Sequence, residues 1–242
     1  MAAIGNIIKQ FDGSDELAQT QREVIESLSQ LGDAKAEFFD LSLREDLRSA
    51  GQATNPTVPI SSIVTSTRQV RAFTSTSAGH IAAEIKAALG AFIKGSPEGV
   101  LDGIGQLMTS ALTVFLGDAS ASTGTIYEYY VLTEGLSVVR LDLKAWYLNV
   151  TAKSIYEKME RVSAFVAIKS VVDLTKIDFS TFLYLYQQQL FNGKVPEPDL
   201  QKALAVAKEI YKDFQDVHKM SGITVQQEPP LAITVHPGRA AA

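Results

Sequence analysis

The segment from Gly103 to Leu116, GIGQLMTSALTVFL, carries no charged residue and constrains the fold more than any other part of the chain. Its apolar side chains recur at three- and four-residue spacing and surround much of a helix, and its polar positions hold only glutamine, serine and threonine. The segment is too short to cross a bilayer alone, which takes about 20 apolar residues. It also lacks the cationic face of typical interfacial helices. Two interpretations follow: a core helix, or a helix that leaves the core to lie in a membrane interface.

A second amphipathic helix precedes this segment. Residues 77–95, SAGHIAAEIKAALGAFIKG, have apolar side chains at helical spacing, and Ser96 and Pro97 supply an N-cap and a first-turn proline for the helix that ends at Gly117. We therefore predict a helical hairpin. If it meets a membrane, the residues expected to contact lipid are Phe92, Ile93, Leu107, Met108, Leu112 and Phe115.

Three glycines at four-residue spacing, Gly95, Gly99 and Gly103, let neighbouring helices approach closely. Each glycine inside a helix costs about 1 kcal/mol relative to alanine. The pattern indicates either tight packing against a neighbour or a helix that is marginally stable and able to detach.

The N-terminal part of the chain is also helical in pattern. Residues 14–49 have apolar residues at helical spacing, and the pair Gly32-Asp33 predicts a stop followed by a new N-cap, so we expect two helices. Residues 50–59 contain glycine, asparagine and two prolines and are typical of a connector. Residues 60–74, ISSIVTSTRQVRAFT, are rich in β-branched side chains and predict a strand.

Period-two alternation dominates after Gly124. Residues 124–150 predict two strands around Gly135, with Arg140, Asp142 and Lys144 on the more polar side, facing a solvated surface or a pore lumen. A helical reading of this segment stays open. Residues 154–161 predict a helical turn, and residues 162–168 and 177–191 predict two further strands. Residues 200–217 then form one amphipathic helix, and a tail follows.

These patterns favour an α+β fold: a single domain with an antiparallel sheet covered by helical hairpins. An all-α bundle is the alternative. The expected organisation is an N-terminal segment 1–13, a globular domain 14–218 and an extended tail 219–242.

Composition excludes several functional classes. The net charge of −5 disfavours nucleic acid as a partner, and the absence of cysteine removes disulfides and thiolate chemistry. The histidines His80, His218 and His236 lack the spacing of a metal site, and no hydrolase or phosphate-loop motif occurs. We expect no metal, no cofactor and no enzymatic activity; an enzyme whose site is built from residues distant in sequence is the third alternative and stays open.

The order of elements resembles that of the Cyt-type cytolytic toxins and their volvatoxin-like relatives. The resemblance covers residues 14–190 and consists of a helical pair, a strand, an apolar hairpin and several long strands. It implies a central antiparallel sheet under helical hairpins, with helices that swing away while the sheet region enters a membrane as an oligomer. No residue motif carries it, and the helix at 200–217 lies outside the pattern.

Two functional hypotheses follow. The first is a membrane-perturbing, pore-forming cytolysin, made as a soluble monomer in the cytoplasm and released without a classical signal peptide, which forms homo-oligomers on a lipid surface. The second is a non-catalytic structural or interaction protein that self-assembles or binds a partner through its apolar hairpin. Assembly that depends on lipid favours the first hypothesis, and assembly in plain buffer favours the second.

Overall fold

The structure is a computed structural model that describes residues 16–73, 77–93, 98–117, 121–134, 137–151, 159–191 and 200–220. These residues form five helices and four strands. In chain order the elements are α1 (Glu16–Ser49), β1 (Ile60–Phe73), α2 (Ala78–Ile93), α3 (Glu98–Gly117), β2 (Thr123–Glu134), β3 (Ser137–Asn149), β4 (Arg161–Val172), α4 (Phe179–Phe191) and α5 (Leu200–Met220). The predicted α+β class is confirmed, and the all-α alternative is wrong.

The four strands form one antiparallel sheet in the order β1-β4-β3-β2. Strands β2 and β3 pair without interruption from Glu134 opposite Ser137 to Thr123 opposite Leu148, so the predicted pair of strands around Gly135 is confirmed. Strand β1 lies at one edge, and its pairing with β4 is irregular near Ile60 and Ile63. The helical reading of residues 124–150 is therefore wrong: the alternating residues form a ladder because they pair with each other across the hairpin.

The hairpin of α2 and α3 covers one face of the sheet. The two helices pack against each other and, through their buried side chains, against the strands. Alternate residues of β3 point into this layer, as the period-two pattern requires. The buried residues of this core are Phe73, Ile81, Ile85, Ala88, Leu89, Phe92, Met108, Leu112, Leu116, Leu132, Val139, Leu141, Leu143, Ala145, Tyr147, Phe165 and Ala167.

Helix α1 covers the opposite face as one continuous helix of 34 residues, so the predicted break at Gly32-Asp33 is wrong. Gly32 is buried, and a Cβ built there would lie 2.5 Å from Cγ1 of Val70 on β1. The glycine is needed because the helix backbone approaches the sheet closely, and it does not end the helix. The buried part of this core includes Ile25, Ala36, Phe39, Leu43 and Leu47 of α1, together with Trp146 and alternate residues of β4.

Residues 179–191 form helix α4, so the strand predicted within residues 177–191 is wrong. Asp178 caps this helix: its Oδ1 accepts a hydrogen bond from the backbone N–H of Thr181 at 2.8 Å. Phe182 is buried between α4 and α5, where its ring lies 5.1 Å from that of Tyr211. The Tyr211 hydroxyl donates a hydrogen bond to the Ile177 carbonyl oxygen at 2.6 Å. Aromatic packing against α5 thus stabilises a helix whose composition is typical of a strand.

Helices α2, α3 and α5 and strands β1 and β4 confirm the remaining element predictions. The predicted capping residues Ser96 and Pro97, most of the predicted turn at residues 154–161, and the N-terminal segment 1–13 lie outside the described residues. The same holds for the predicted tail, apart from residues 219 and 220, which belong to α5.

Candidate membrane-contact surface

The six residues predicted to contact lipid occupy different positions in the structure. Phe92, Met108 and Leu112 are buried in the core between the hairpin and the sheet. Phe115 is partly buried at its border, and Leu107 is 44% exposed on the outside of α3. The side chain of Ile93 lies outside the described residues. In the folded state, therefore, only Leu107 of the described candidates projects into solvent.

The outer surface of α3 contains a second exposed aliphatic residue, Val114, which is 76% exposed. Leu107 and Val114 are seven residues apart and lie on one side of the helix, about 150° from the core-facing row Met108, Leu112 and Leu116. We name this side the α3 outer surface. It comprises Gln106, Leu107, Ser110, Val114 and Gly117, all exposed and none charged.

Val114 was absent from the residues expected to contact lipid. The signal that could have found it is its seven-residue spacing from Leu107, which places both residues on the same helix side. The more frequent apolar spacing belongs to the core row, and it selects residues that the sheet covers.

An aromatic stack holds the C-terminal end of α3 on the sheet. The Phe115 ring meets the Tyr147 ring at a centroid distance of 5.0 Å in an edge-to-face arrangement. The Arg161 guanidinium lies 4.3 Å from the centre of the same Tyr147 ring, and its Nε donates a hydrogen bond to Asn149 Oδ1 at 2.6 Å. Gly124 leaves room for the stack, because a Cβ there would lie 2.8 Å from Tyr147 Cε1. This contact anchors the C-terminal end of α3 to β3, in addition to the buried row Met108, Leu112 and Leu116.

A buried ion pair lies on the other side of β3. Arg140 and Asp142 point to the same side because they are two residues apart on a strand. Both side chains are fully buried, and Arg140 Nη2 lies 2.8 Å from Asp142 Oδ1 while its Nε lies 2.9 Å from Oδ2. The prediction of a solvated surface is therefore wrong for these two residues. The alternative of a pore lumen concerns an inserted state and stays a prediction.

The remaining donors of the Arg140 guanidinium are used within the protein. Nη1 donates to Thr57 Oγ1 at 3.0 Å and to the Val58 carbonyl oxygen at 2.6 Å, and Nη2 also donates to the Tyr127 hydroxyl at 3.0 Å. The connector that precedes β1 is thereby fixed to the sheet. Because all its N–H groups have partners, the guanidinium retains no donor for a ligand.

Lys144 extends the same polar row to α1. Its Nζ donates to Ser42 Oγ at 2.6 Å and lies 2.7 Å from Asp46 Oδ2. Arg140 and Lys144 also lie over tyrosine rings of β2, at 4.3 Å from the centre of Tyr129 and 4.9 Å from that of Tyr127. The polar side of β3 thus connects α1, the connector and β2.

Burial dominates the titration of this network. It raises the pKa of the Tyr127 hydroxyl above its ordinary value, and the negative charge of Asp142 acts in the same direction. Burial likewise raises the pKa of the Asp142 carboxyl, although the hydrogen bonds and charge of Arg140 oppose it. On the opposite side of β2, burial and a hydrogen bond to Glu128 raise the pKa of Tyr130 to about 12.

Within the described residues, no group of three or more histidine, aspartate or glutamate side chains is placed to hold a metal ion. In the same part of the chain, none of the helices has the length and apolar character needed to cross a bilayer. No protein-family model, curated protein or solved structure matches the chain. The geometry of the surface must therefore carry any functional conclusion.

Proposed function

We propose that the protein is a membrane-perturbing, pore-forming protein that first contacts lipid through the α3 outer surface. The observation that carries the proposal is that this surface exposes Leu107 and Val114 and has no charged group. Transfer of Gln106 and Ser110 to an interface costs far less than transfer of a charged side chain. The two aliphatic side chains supply the favourable contribution, because burial of apolar surface is worth about 25 cal/mol per Å².

The lack of charge on the α3 outer surface also determines how membrane binding should depend on lipid charge and on salt. Interfacial helices with a basic face bind anionic lipids, and salt weakens their binding. The α3 outer surface has no basic residue, and the whole chain has a net charge of −5. Binding to neutral phosphatidylcholine vesicles should therefore equal or exceed binding to anionic vesicles, and it should persist at high salt.

Entry into the membrane would follow detachment of the hairpin. Its two helices pack against each other, so they can leave the sheet as one hairpin once the contacts of their buried side chains with the strands are broken. Their departure exposes the apolar row of β3, in which Leu141, Leu143 and Ala145 alternate with polar residues. Strands β2 and β3 span 12 and 13 residues, more than the roughly 9–11 residues that a membrane-crossing strand requires. Strands from several copies would have to close into a barrel, because open edges are not tolerated in lipid.

The test is release of an encapsulated dye from phosphatidylcholine vesicles by wild-type protein and by the double variant Leu107→Asp, Val114→Asp. Both positions are exposed, so the variant should retain the fold, which circular dichroism checks. Leu112→Asp is unsuitable because Leu112 is fully buried. We expect the partition into vesicles to fall by roughly one to two orders of magnitude in the double variant, with a matching loss of leakage.

Val206→Asp is the matched control, because Val206 is an exposed aliphatic residue on α5, away from the hairpin. It should bind and release dye as the wild type does. The proposal is wrong if wild-type protein causes no leakage from neutral or anionic vesicles. It is equally wrong if the double variant and Val206→Asp give the same leakage as the wild type.

A further inference from the structure

Helix α1 has a second row of residues, apolar except for Ser27, that the sheet does not cover. Val24, Leu31 and Phe38 recur every seven residues, and Ser27, Ala34 and Leu41 each follow three residues later. All six residues are exposed, and Phe38 and Leu41 are each 62% exposed. We name these six residues the α1 outer row. It lies roughly 150° around the helix from the residues that pack on the sheet.

The spacing of the row indicates the shape of its partner. Apolar residues that alternate three and four apart over several turns fit the seam of a coiled coil, in which each side chain inserts between four residues of a facing helix. A flat sheet or an extended peptide does not match this period. The row runs for about 26 Å along the helix, which is long enough for six layers of side chains.

We propose that the α1 outer row binds the same row of a second copy of this chain, with the two helices antiparallel. In this arrangement a two-fold axis passes between residues 32 and 33 of both helices. Each residue therefore faces the residue of the second copy that lies equally far on the other side of this axis. Ser27 then faces Phe38 of the second copy, Leu31 faces Ala34, and Val24 faces Leu41. Large side chains meet small ones in two of these three pairings, as close packing requires.

A parallel pair fits less well. It would place Ser27 against Ser27 and Ala34 against Ala34, which leaves gaps, and Phe38 against Phe38, which overfills the layer. Polar residues beside the row favour the antiparallel arrangement too. In it, Glu23 of each copy lies within about one helical turn of Arg44 of the other. Glu23 is exposed, and the Arg44 side chain is 41% exposed. The Arg44 guanidinium also donates to Asp40 and to Ser66 of the same chain, so Glu23 of the second copy would share it with these groups.

This inference does not rest on the proposed membrane activity. Helix α1 and the hairpin lie on opposite faces of the sheet, so a dimer through α1 leaves the α3 outer surface open. It revises the expectation of a soluble monomer. Assembly in buffer would support the partner-binding hypothesis only if hairpin substitutions abolished it, whereas the α1 dimer should be insensitive to them.

Sedimentation equilibrium of the full chain tests the dimer. We expect a dimer for the wild type. For Phe38→Glu we expect the dissociation constant to rise at least about tenfold, because the altered layer occurs twice in each dimer. Val206→Glu, at an exposed valine on α5, is the matched control and should dimerise as the wild type does. A monomeric wild type, or a Phe38→Glu variant with unchanged affinity, would overturn the proposal.

Charge exchange tests the register. Glu23→Arg and Arg44→Glu should each weaken the dimer, and the double variant should restore affinity, since the pair is re-formed with opposite signs. Failure of the double variant to recover any affinity excludes the proposed pairing.

Crosslinking tests the direction, helped by the absence of cysteine in the chain. Val24→Cys alone and Leu41→Cys alone should give no disulfide-linked dimer, because identical positions lie about 26 Å apart along antiparallel helices. The two substitutions together should give one on mild oxidation. Rapid crosslinking of either single variant would indicate parallel helices and overturn the proposal.

Discussion

Loss of one member of the buried Arg140–Asp142 pair should destabilise the protein far more than loss of both. The substitution considered first is Asp142→Leu, which keeps the number of side-chain heavy atoms, removes the carboxylate and adds some volume. Arg140 would stay fully buried, and it would keep the Tyr127, Thr57 and Val58 oxygens and the face of the Tyr129 ring as partners, none of them an anion. A buried charge without its counter-charge is strongly unfavourable.

The expected magnitude follows from the complete burial of both side chains. Breaking such a pair from one side costs about 3–5 kcal/mol, whereas replacing the whole pair by apolar residues is often close to neutral. The double variant Arg140→Met, Asp142→Leu still leaves the Thr57 and Tyr127 hydroxyls without their guanidinium partner. We therefore expect it to lose about 1–2 kcal/mol, less than either single variant.

Urea unfolding followed by the fluorescence of Trp146 provides the assay. Trp146 is the only tryptophan and is buried beneath α1, so its emission reports loss of this core. Lys144→Met is the comparison, because its partner Asp46 is partly exposed and such pairs are worth about 0–1 kcal/mol. The reasoning fails if Asp142→Leu costs less than about 1 kcal/mol, or if the double variant loses the sum of the two single losses.

Three further predictions concern local features. Gly32→Ala should destabilise the protein by about 1 kcal/mol, because the free-energy cost of the clash between the new Cβ and Val70 exceeds the gain in helix propensity. The loss of stability should vanish in a Val70→Ala background. Hydrogen bonds from Ser180 and from the Thr181 backbone lower the pKa of Asp178. The stability that they supply is present above the ordinary pKa of 3.8 and is lost as the pH falls through the lower pKa of the folded state. The difference between the urea unfolding midpoints at about pH 7 and about pH 3 should therefore be smaller for Asp178→Asn than for the wild type. The pKa of Tyr130 is raised from 10.0 to about 12, so its contribution to stability is present below pH 10 and is lost as the pH rises through 12. In a spectrophotometric titration of the tyrosines, the amplitude of the phase at the highest pH should be smaller for Tyr130→Phe than for the wild type.

Much of the sheet could be predicted from the sequence because its signal is local. Alternation along β3 reflects which side chains face which layer. The density of β-branched residues in β1 and β4 reflects their preference for strands. Both signals are contained in the residues of the strand itself. The hairpin of α2 and α3 was predictable for the same reason.

The errors arose where a distant contact decides the local structure. Gly32 reads as a helix stop until Val70 is known to lie against it. Residues 179–191 read as a strand because they are aromatic, although the cap formed by Asp178, Ser180 and Thr181 was a visible helix signal. Arg140 and Asp142 could be assigned to one side of β3, but their burial depends on the connector and α1, which no local pattern places there.

The two outer surfaces together make a further prediction that neither makes alone. In an antiparallel dimer through α1, the layers run hairpin, sheet, α1, then α1, sheet and hairpin of the second copy, so the two α3 outer surfaces face away from each other. One planar membrane cannot contact both of them. A dimer that binds lipid should therefore bridge two vesicles, since its second surface stays free after the first has bound.

Turbidity and dynamic light scattering of phosphatidylcholine vesicles measure this bridging. Wild-type protein should cluster vesicles, and Phe38→Glu should bind them without clustering, because the substitution lies on α1 and leaves Leu107 and Val114 unchanged. The double variant Leu107→Asp, Val114→Asp should dimerise, but it should bind vesicles far more weakly and cluster them correspondingly less. Clustering that persists in monomeric Phe38→Glu would show that the two surfaces are not separated by the sheet in the way argued. Binding without clustering by a wild-type dimer would mean that the α3 outer surfaces of both copies contact the same membrane. The layer order does not allow this contact unless the hairpins have already left the sheet.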